Sequence, residues 1–293
     1  MEALSSNHRR YIINDFKLPK IVCETPYFEK QFDLLENYGF LEAFNFAERC
    51  ISEFEGNNDL FFEEVSKLSH DMFKYLERLY EGKNFYKSMH RKNTYNDTKS
   101  QFKNNIYNDD NVNRDLIRVD INKACFNVLR LMTSELNGYI SYAQLVHDFN
   151  EYDDAVRDYV AASKRIRSYI FGSVQKNVIV HLEKSIMSLL IEKMNVNEVV
   201  YKGIDELVMD MKDLRLVYDA LSKMGIFKDI LRVEEFTILP AKYGYVEVHD
   251  NKKVFKAVPS EHFCEVYADF YDIDIAPEYK VSKIGEHLWQ RIQ

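Results

Sequence analysis

The sequence predicts an α+β fold, a helical N-terminal part followed by an antiparallel sheet with packed helices, and three observations carry that prediction. The first is a change of period inside Leu116–Leu131. Ile117, Val119 and Ile121 alternate with Arg118 and Asp120 as in a half-buried strand, and then Ala124, Cys125, Val128, Leu129 and Met132 recur at helical spacing. The second is an aromatic-rich front in which apolar residues recur every three or four positions. The third is a tail of short strands joined by turns, which excludes a simple run of βαβ units.

Taken in order, residues 1–22 read as an irregular lead-in. From Thr25, which can cap with Pro26 in the first turn, Phe28, Phe32, Leu35 and Leu41 predict a helix that stops near Gly56. A second helix over about 60–81 puts Phe61, Val65, Leu68, Met72, Tyr75, Leu76 and Leu79 on one stripe. Residues 83–113 are polar and rich in Asn and Lys, the composition of a linker. Its Lys83, Lys87, Arg91, Lys92, Lys99 and Lys103, interleaved with Phe85, Tyr86, Tyr95 and Phe102, also suit a nucleic-acid contact, although a solvated linker is the plainer reading.

After the strand and helix that begin at Leu116, Asn137-Gly138 marks a turn, and helices are predicted over 141–149, 153–170 and 173–194. The stretch around Gly203 reads as a tight hairpin with Asp205 and Glu206 beside the turn. A helix over 213–224 ends at Gly225, strands follow at 231–239, 243–249 and 254–258, Ser260 caps a further helix, and a last short helix contains Trp289. The domain reading is a helical region 1–82, a linker 83–113 and a sheet domain 114–293, with a helical insertion at about 137–172.

Composition narrows the function classes. A chain of 293 residues, 46% hydrophobic and 29% charged, has the make-up of a water-soluble globular protein, and no apolar run is long enough to span a membrane. The N-terminus lacks a secretory leader, and Cys23, Cys50, Cys125 and Cys264 are dispersed without a CxxC pair, so the expected setting is reducing and cytoplasmic. A net charge of −8 argues against coating nucleic acid by overall charge but leaves room for a local basic groove.

Asp120 stands where a strand gives way to a helix, a common position for a catalytic or metal-holding acid and equally for a solvated one. Lys164, Arg165 and Arg167 close an amphipathic helical stretch and suit a triphosphate, or merely complement the helix dipole.

Three stretches together resemble the palm domain of family B DNA polymerases, particularly the phage protein-primed type. Asp120 and Asn122 match the first motif, D-x-N-S-L-Y-P-S; Lys164, Phe171 and Gly172 match the second, K-x-x-x-N-S-x-Y-G; Tyr201 and Asp205 match the third, Y-x-D-T-D-S. Lys242 and Tyr243 match a Lys-Tyr element that contacts the primer end. The resemblance covers about 115–260 and departs from the family at Gly203, Ser168 and Cys125-Phe126, which makes the palm degenerate, and 114 preceding residues leave no proofreading exonuclease domain.

What the resemblance implies is a small template-dependent nucleotidyltransferase, polymerase-like or primase-like, of a phage or mobile element and working in the host cytoplasm. Asp120 and Asp205 would be catalytic and, with Glu206, would hold two Mg²⁺ ions, or Mn²⁺ in their place. Lys164, Arg165 and Arg167 would bind the nucleoside triphosphate, Cys125 would lie under its sugar and admit a ribose, and Lys242 and Tyr243 would bind the primer. The alternative is an inactive palm that binds nucleic acid or a replication or transcription partner.

Overall fold

The computed structural model describes residues 4–18, 42–80, 105–132, 134–174, 176–196, 199–250, 252–259, 262–272, 281–284 and 288–291. In chain order its helices and strands are α1 (Ser6–Phe16), α2 (Glu42–Glu53), α3 (Asn58–Tyr80), β1 (Asp115–Ile121), α4 (Ala124–Met132), α5 (Ser134–Asn137), α6 (Tyr142–His147), α7 (Asp154–Ala162), α8 (Lys164–Ser173) and α9 (Lys176–Met194). There follow β2 (Tyr201–Lys202), β3 (Glu206–Asp210), α10 (Leu214–Leu221), β4 (Leu231–Ala241), β5 (Gly244–His249), β6 (Lys252–Lys256), α11 (Phe263–Phe270), β7 (Val281–Ile284) and β8 (Leu288–Arg291). The fold is α+β, as the patterning predicts. The chain forms two compact units, one of Met1–Arg78, Tyr139–Val174 and Val258–Gln293, the other of Leu79–Gly138 and Gln175–Ala257. The helical segment expected as an insertion at 137–172 is therefore grouped with the N-terminal helices.

The first unit is built on aromatic packing. Tyr159 of α7 is fully buried, with the rings of Phe16, Phe61 and Phe62 edge-on around it at 5.3–6.0 Å. The lead-in expected to be irregular contains α1: Ser5 accepts a hydrogen bond from the His8 N–H, and Ile12 and Ile13 are fully buried. The helix expected over 153–170 is two helices. Ser163, also fully buried, ends α7 and caps α8 by accepting from the Ile166 N–H. Its φ of −66° and ψ of 115° break the α path, so Lys164, Arg165 and Arg167 open a helix rather than close one. Trp289, expected in a helix, lies in β8 opposite Lys283 of β7, and the β-branched Val281 and Ile284 on β7 suit a strand. The helix expected from Thr25 lies outside the described residues up to Glu42 and agrees with α2 beyond it. The basic and aromatic residues from Lys83 to Lys103 also lie outside them.

The second unit holds an antiparallel sheet of order β2-β3-β1-β4-β5-β6. β1 pairs with β3 on one side and β4 on the other, in a register that sets Asp120 opposite both Glu206 and Arg232. Residues 105–113, expected to be linker, pack on this sheet. Ile106 is buried in a cluster with Leu116, Val208, Phe236 and Ile238, and the buried Asn111 side chain donates to the Ile106 carbonyl. That cluster also corrects the half-exposed reading of β1, because Leu116 and Arg118 on its polar face are as hidden as Ile117 and Val119 on the other. Gly225 sits at φ +58° just after α10, a backbone position that glycine takes without strain.

Candidate functional site

The site is the polar end of the β1 face on which Leu116, Arg118 and Asp120 point the same way. Pairing carries that face across four further strands, adding Glu206 and Val208 from β3, Arg232, Glu234 and Phe236 from β4, Glu247 and His249 from β5 and Lys256 from β6. It grades from the apolar cluster around Leu116 and Phe236 to an acidic rim at Asp120 and Glu206.

Arg118 lies at the centre. Its guanidinium stacks over the Phe236 ring at 4.5 Å, with Nε 3.1 Å from Glu206 Oε2 and Nη1 3.8 Å from Glu234 Oε2; Nη1 also donates to Glu247 Oε2 at 3.2 Å and Nη2 donates to Glu247 Oε1. The side chain is 9% exposed, and Nε has an ion-pair neighbour in Glu206 but no hydrogen-bond acceptor. Glu247, 1% exposed, also accepts from the Tyr107 hydroxyl at 2.8 Å and has Lys256 Nζ at 3.8 Å. Burial opposes its ionisation, but the bonds and charge of Arg118, with Lys256 and Tyr107, outweigh burial and hold the carboxyl below its ordinary value. Glu206 goes the other way: burial, with the Asp205 and Asp120 charges adding to it, raises its carboxyl despite Arg118.

At the rim, Arg232 takes both Asp120 oxygens in a fork, Nε to Oδ1 at 3.0 Å and Nη2 to Oδ2 at 2.8 Å. Asp205 is the second residue of the two-residue hairpin loop Ile204-Asp205, closed by Gly203 N–H donating to the Glu206 carbonyl. Its carbonyl accepts from the Ile121 N–H, so it is level with Ile121, one step past the Asp120–Glu206 pair. Its charge acts on Glu183 of α9, a buried acid that burial first and Asp205 second push up to about 7.

The structure thus brings Asp120, Asp205 and Glu206 to neighbouring positions but does not leave them open. An arginine already holds Asp120, and the guanidinium of another stands 3.1 Å from Glu206. Among the described residues no group of three His, Cys, Asp or Glu side chains converges to hold a metal ion. A divalent ion about 4 Å from the Arg118 guanidinium would meet roughly 8 kcal/mol of repulsion at an effective dielectric of about 20. The expected two-metal set does not fit this face as it is built, and no step is derived through it.

The other expected residues stand elsewhere. Cys125 is the second residue of α4 and half-buried. Lys242 and Tyr243 form the β4–β5 turn, with Lys242 Nζ 5.3 Å from the Tyr243 ring centre and Tyr243 37% exposed. Ten residues of extended strand separate them from Arg232, roughly 30 Å, so this element is not beside Asp120. Lys164, Arg165 and Arg167 belong to the other unit. There Arg165 Nε bonds the buried Asp15 carboxylate, which also accepts from the Tyr159 hydroxyl at 2.8 Å, and Arg167 lies over the Tyr142 ring at 5.7 Å. Sequence reasoning missed Arg118, Arg232, Glu234 and Glu247. The available signal was Arg118 and Glu247, each flanked on both sides by apolar residues in a strand pattern.

Comparison with known proteins finds no matching family model and no matching curated protein. No described helix is long and apolar enough to cross a membrane.

Proposed function

We propose that this chain is a palm-like cytoplasmic protein without nucleotidyl transfer activity that binds single-stranded nucleic acid through the β4–β5 turn and the strand beside it. The observation that carries the inactive reading is the Arg232 fork on Asp120, the acid on which two-metal chemistry would depend. Support for nucleic acid is the pairing of an exposed aromatic with a cation at the turn, Tyr243 and Lys242. A base can stack on the ring while the Lys242 ammonium meets a phosphate, a mode that needs no sequence readout. The net charge of −8 keeps such binding local and makes it sensitive to salt.

The test is fluorescence anisotropy with a labelled single-stranded oligonucleotide at low salt. Lys242→Ala/Tyr243→Ala is expected to weaken binding about tenfold, in line with the loss of one stacking contact. Undiminished binding by the double variant, or none by the wild type, removes the proposal.

A second reading, two-metal nucleotidyl transfer to a ribonucleotide or deoxyribonucleotide product, is favoured by one observation: Asp120 and Glu206 face each other directly across β1 and β3, with Asp205 adjacent. It requires Arg232 to leave Asp120. Mg²⁺- or Mn²⁺-dependent incorporation by the wild type, lost in Asp120→Asn, would establish it over the first.

A further inference from the structure

In a chain whose net charge is −8, two helices that pack against each other in the helical unit are almost devoid of acids. α1 with its capping residue Lys17, together with α8, carries six cationic side chains, Arg9, Arg10, Lys17, Lys164, Arg165 and Arg167, against a single acid, Asp15, which is 2% exposed. We infer that the solvent face of α1 and α8 is a contact for single-stranded nucleic acid distinct from the β4–β5 turn, with phosphates on the cations and bases on the rings of Tyr11 and Tyr169. The turn belongs to the sheet unit, so the two contacts stand or fall separately.

The two helices meet end to start. Asp15, in the last turn of α1, accepts from Arg165 Nε, and its carbonyl accepts from the Ser163 hydroxyl at 3.2 Å, so the C-terminal end of α1 abuts the N-terminal end of α8. Lys17 and Lys164, both exposed, flank that joint, and the Arg165 side chain is half exposed although its Nε is bonded. The acid therefore lies underneath and the cations outside, where a local basic patch attracts phosphate whatever the charge of the whole chain. Arg10, also exposed, lies seven residues before Lys17, roughly 10 Å along the helix axis. Asp59 of α3, an exposed acid beside α1, stands 2.8 Å from His8 Nε2, about two turns from the joint. Tyr11, next to Arg10, is 49% exposed with Phe62 on one side at 5.2 Å, and Tyr169, one turn after Arg165, is 59% exposed. A half-open ring near a cation on each helix lets a strand stack a base and hold a neighbouring phosphate. A duplex, whose bases stack on one another, would leave both rings without a partner, so the pairing of rings and cations favours a single strand.

The experiment is photo-crosslinking of the full chain to a single-stranded oligodeoxynucleotide that contains thiothymidine, with the joined peptides mapped by mass spectrometry. Crosslinks are expected on the peptides of Tyr11 and Tyr169. They should be lost in Arg10→Gln/Lys17→Asn, which changes two exposed side chains and puts asparagine, a residue that tolerates the left-handed backbone, at the φ of 54° that ends α1. Anisotropy in a Lys242→Ala/Tyr243→Ala background isolates the helical face. There Arg10→Gln/Lys17→Asn should weaken binding about tenfold and lower the slope of log affinity against log salt by about 1.4, the share of two phosphate contacts. Tyr169→Ala should weaken binding and leave that slope unchanged. Peptides of α1 and α8 without crosslinks in the wild type overturn the inference, as does a salt slope that Arg10→Gln/Lys17→Asn leaves unchanged. Co-sedimentation of the wild type with phosphatidylserine vesicles that is lost in Arg10→Gln/Lys17→Asn, with no oligonucleotide crosslink on α1 or α8, overturns it in favour of a lipid surface. Crosslinks on α1 and α8 with none at the β4–β5 turn remove the turn proposal and leave this one standing; the reverse pattern removes this one alone.

Discussion

The two units each bury an acid against an arginine, with opposite results. Glu247 in the sheet unit and Asp15 in the helical unit are 1% and 2% exposed. Yet Glu247 is held below its ordinary range, whereas burial raises Asp15 in spite of Arg165 and the Tyr159 hydroxyl. The difference lies in the cation. Arg118 is itself buried and gives Glu247 two contacts, while Arg165 is half exposed and reaches Asp15 from the edge, where water screens it. Glu183 completes a series. It is 5% exposed with another acid as its electrostatic neighbour, and burial first and that charge second push it up to about 7. Depth alone does not decide which way a buried acid shifts; the bonds its partner makes do, since Glu206, which stands beside the same buried Arg118 but takes no hydrogen bond from its Nε and has acids for neighbours, is raised.

The sharpest way to break this comparison is Glu247→Gln. It leaves Arg118 buried with weaker compensation, and about 3–5 kcal/mol of stability is expected to go, read as a lower urea midpoint at unchanged m-value. The loss should shrink at acid pH. Because the folded carboxyl is depressed, its contribution is present above the unfolded value near 4.5 and is lost as pH falls through the folded one. A loss under 1 kcal/mol at pH 7 would mean that Glu206 and Glu234 alone satisfy Arg118.

Glu183→Gln comes next and has the opposite sign. A raised folded pKa means that the native state holds the proton, so the wild type loses stability as pH rises from about 4.5 to about 7 and levels off above that. The glutamine variant should gain of order 2 kcal/mol on the wild type between pH 5 and pH 8. Urea midpoints that shift in parallel for both proteins would remove Glu183 from the account.

Much of the sheet unit was legible because its signals are local. The period change that starts β1 and α4, the Gly203 hairpin and Gly225 all act within a few residues. The acid positions were legible for the same reason; their neutralisation was not. Arg118 meets Glu247 across 129 positions and Asp120 meets Arg232 across 112, and only the register brings them together. α1 was missed because its buried face includes His8 and Asp15, two polar residues in an apolar stripe whose partners, Asp59, Tyr159 and Arg165, lie far along the chain. The break at Ser163 was missed because serine is tolerated within helices, and only its cap bond to Ile166 shows which role it plays.

Asp15→Asn is the smallest expected effect. Asparagine still accepts from Tyr159, and removing a charge that the site already disfavours offsets part of what is lost with Arg165. A change of about 1 kcal/mol is expected in the stability read from the urea midpoint, together with a flatter response as pH rises above the ordinary carboxylate value, where the raised Asp15 gives up its proton. A loss as large as that of Glu247→Gln would show that an exposed arginine compensates a buried acid as well as a buried one.

The strand order also bears on assembly of the sheet. β2–β3 closes through a two-residue loop and β4–β5–β6 through short turns, so each half can form from neighbouring sequence. β1 comes from about 90 residues before β3 and is the strand that joins the halves, because β3 and β4 have no pairing with each other. Closing that long loop is the slow, entropically costly step. Arg118 and Asp120 ride on the joining strand, one meeting acids of β3, β4 and β5 and the other an arginine of β4. Their charges thus act as a register check: slipped by one residue, β1 would turn both away from these partners and set apolar side chains against the acids.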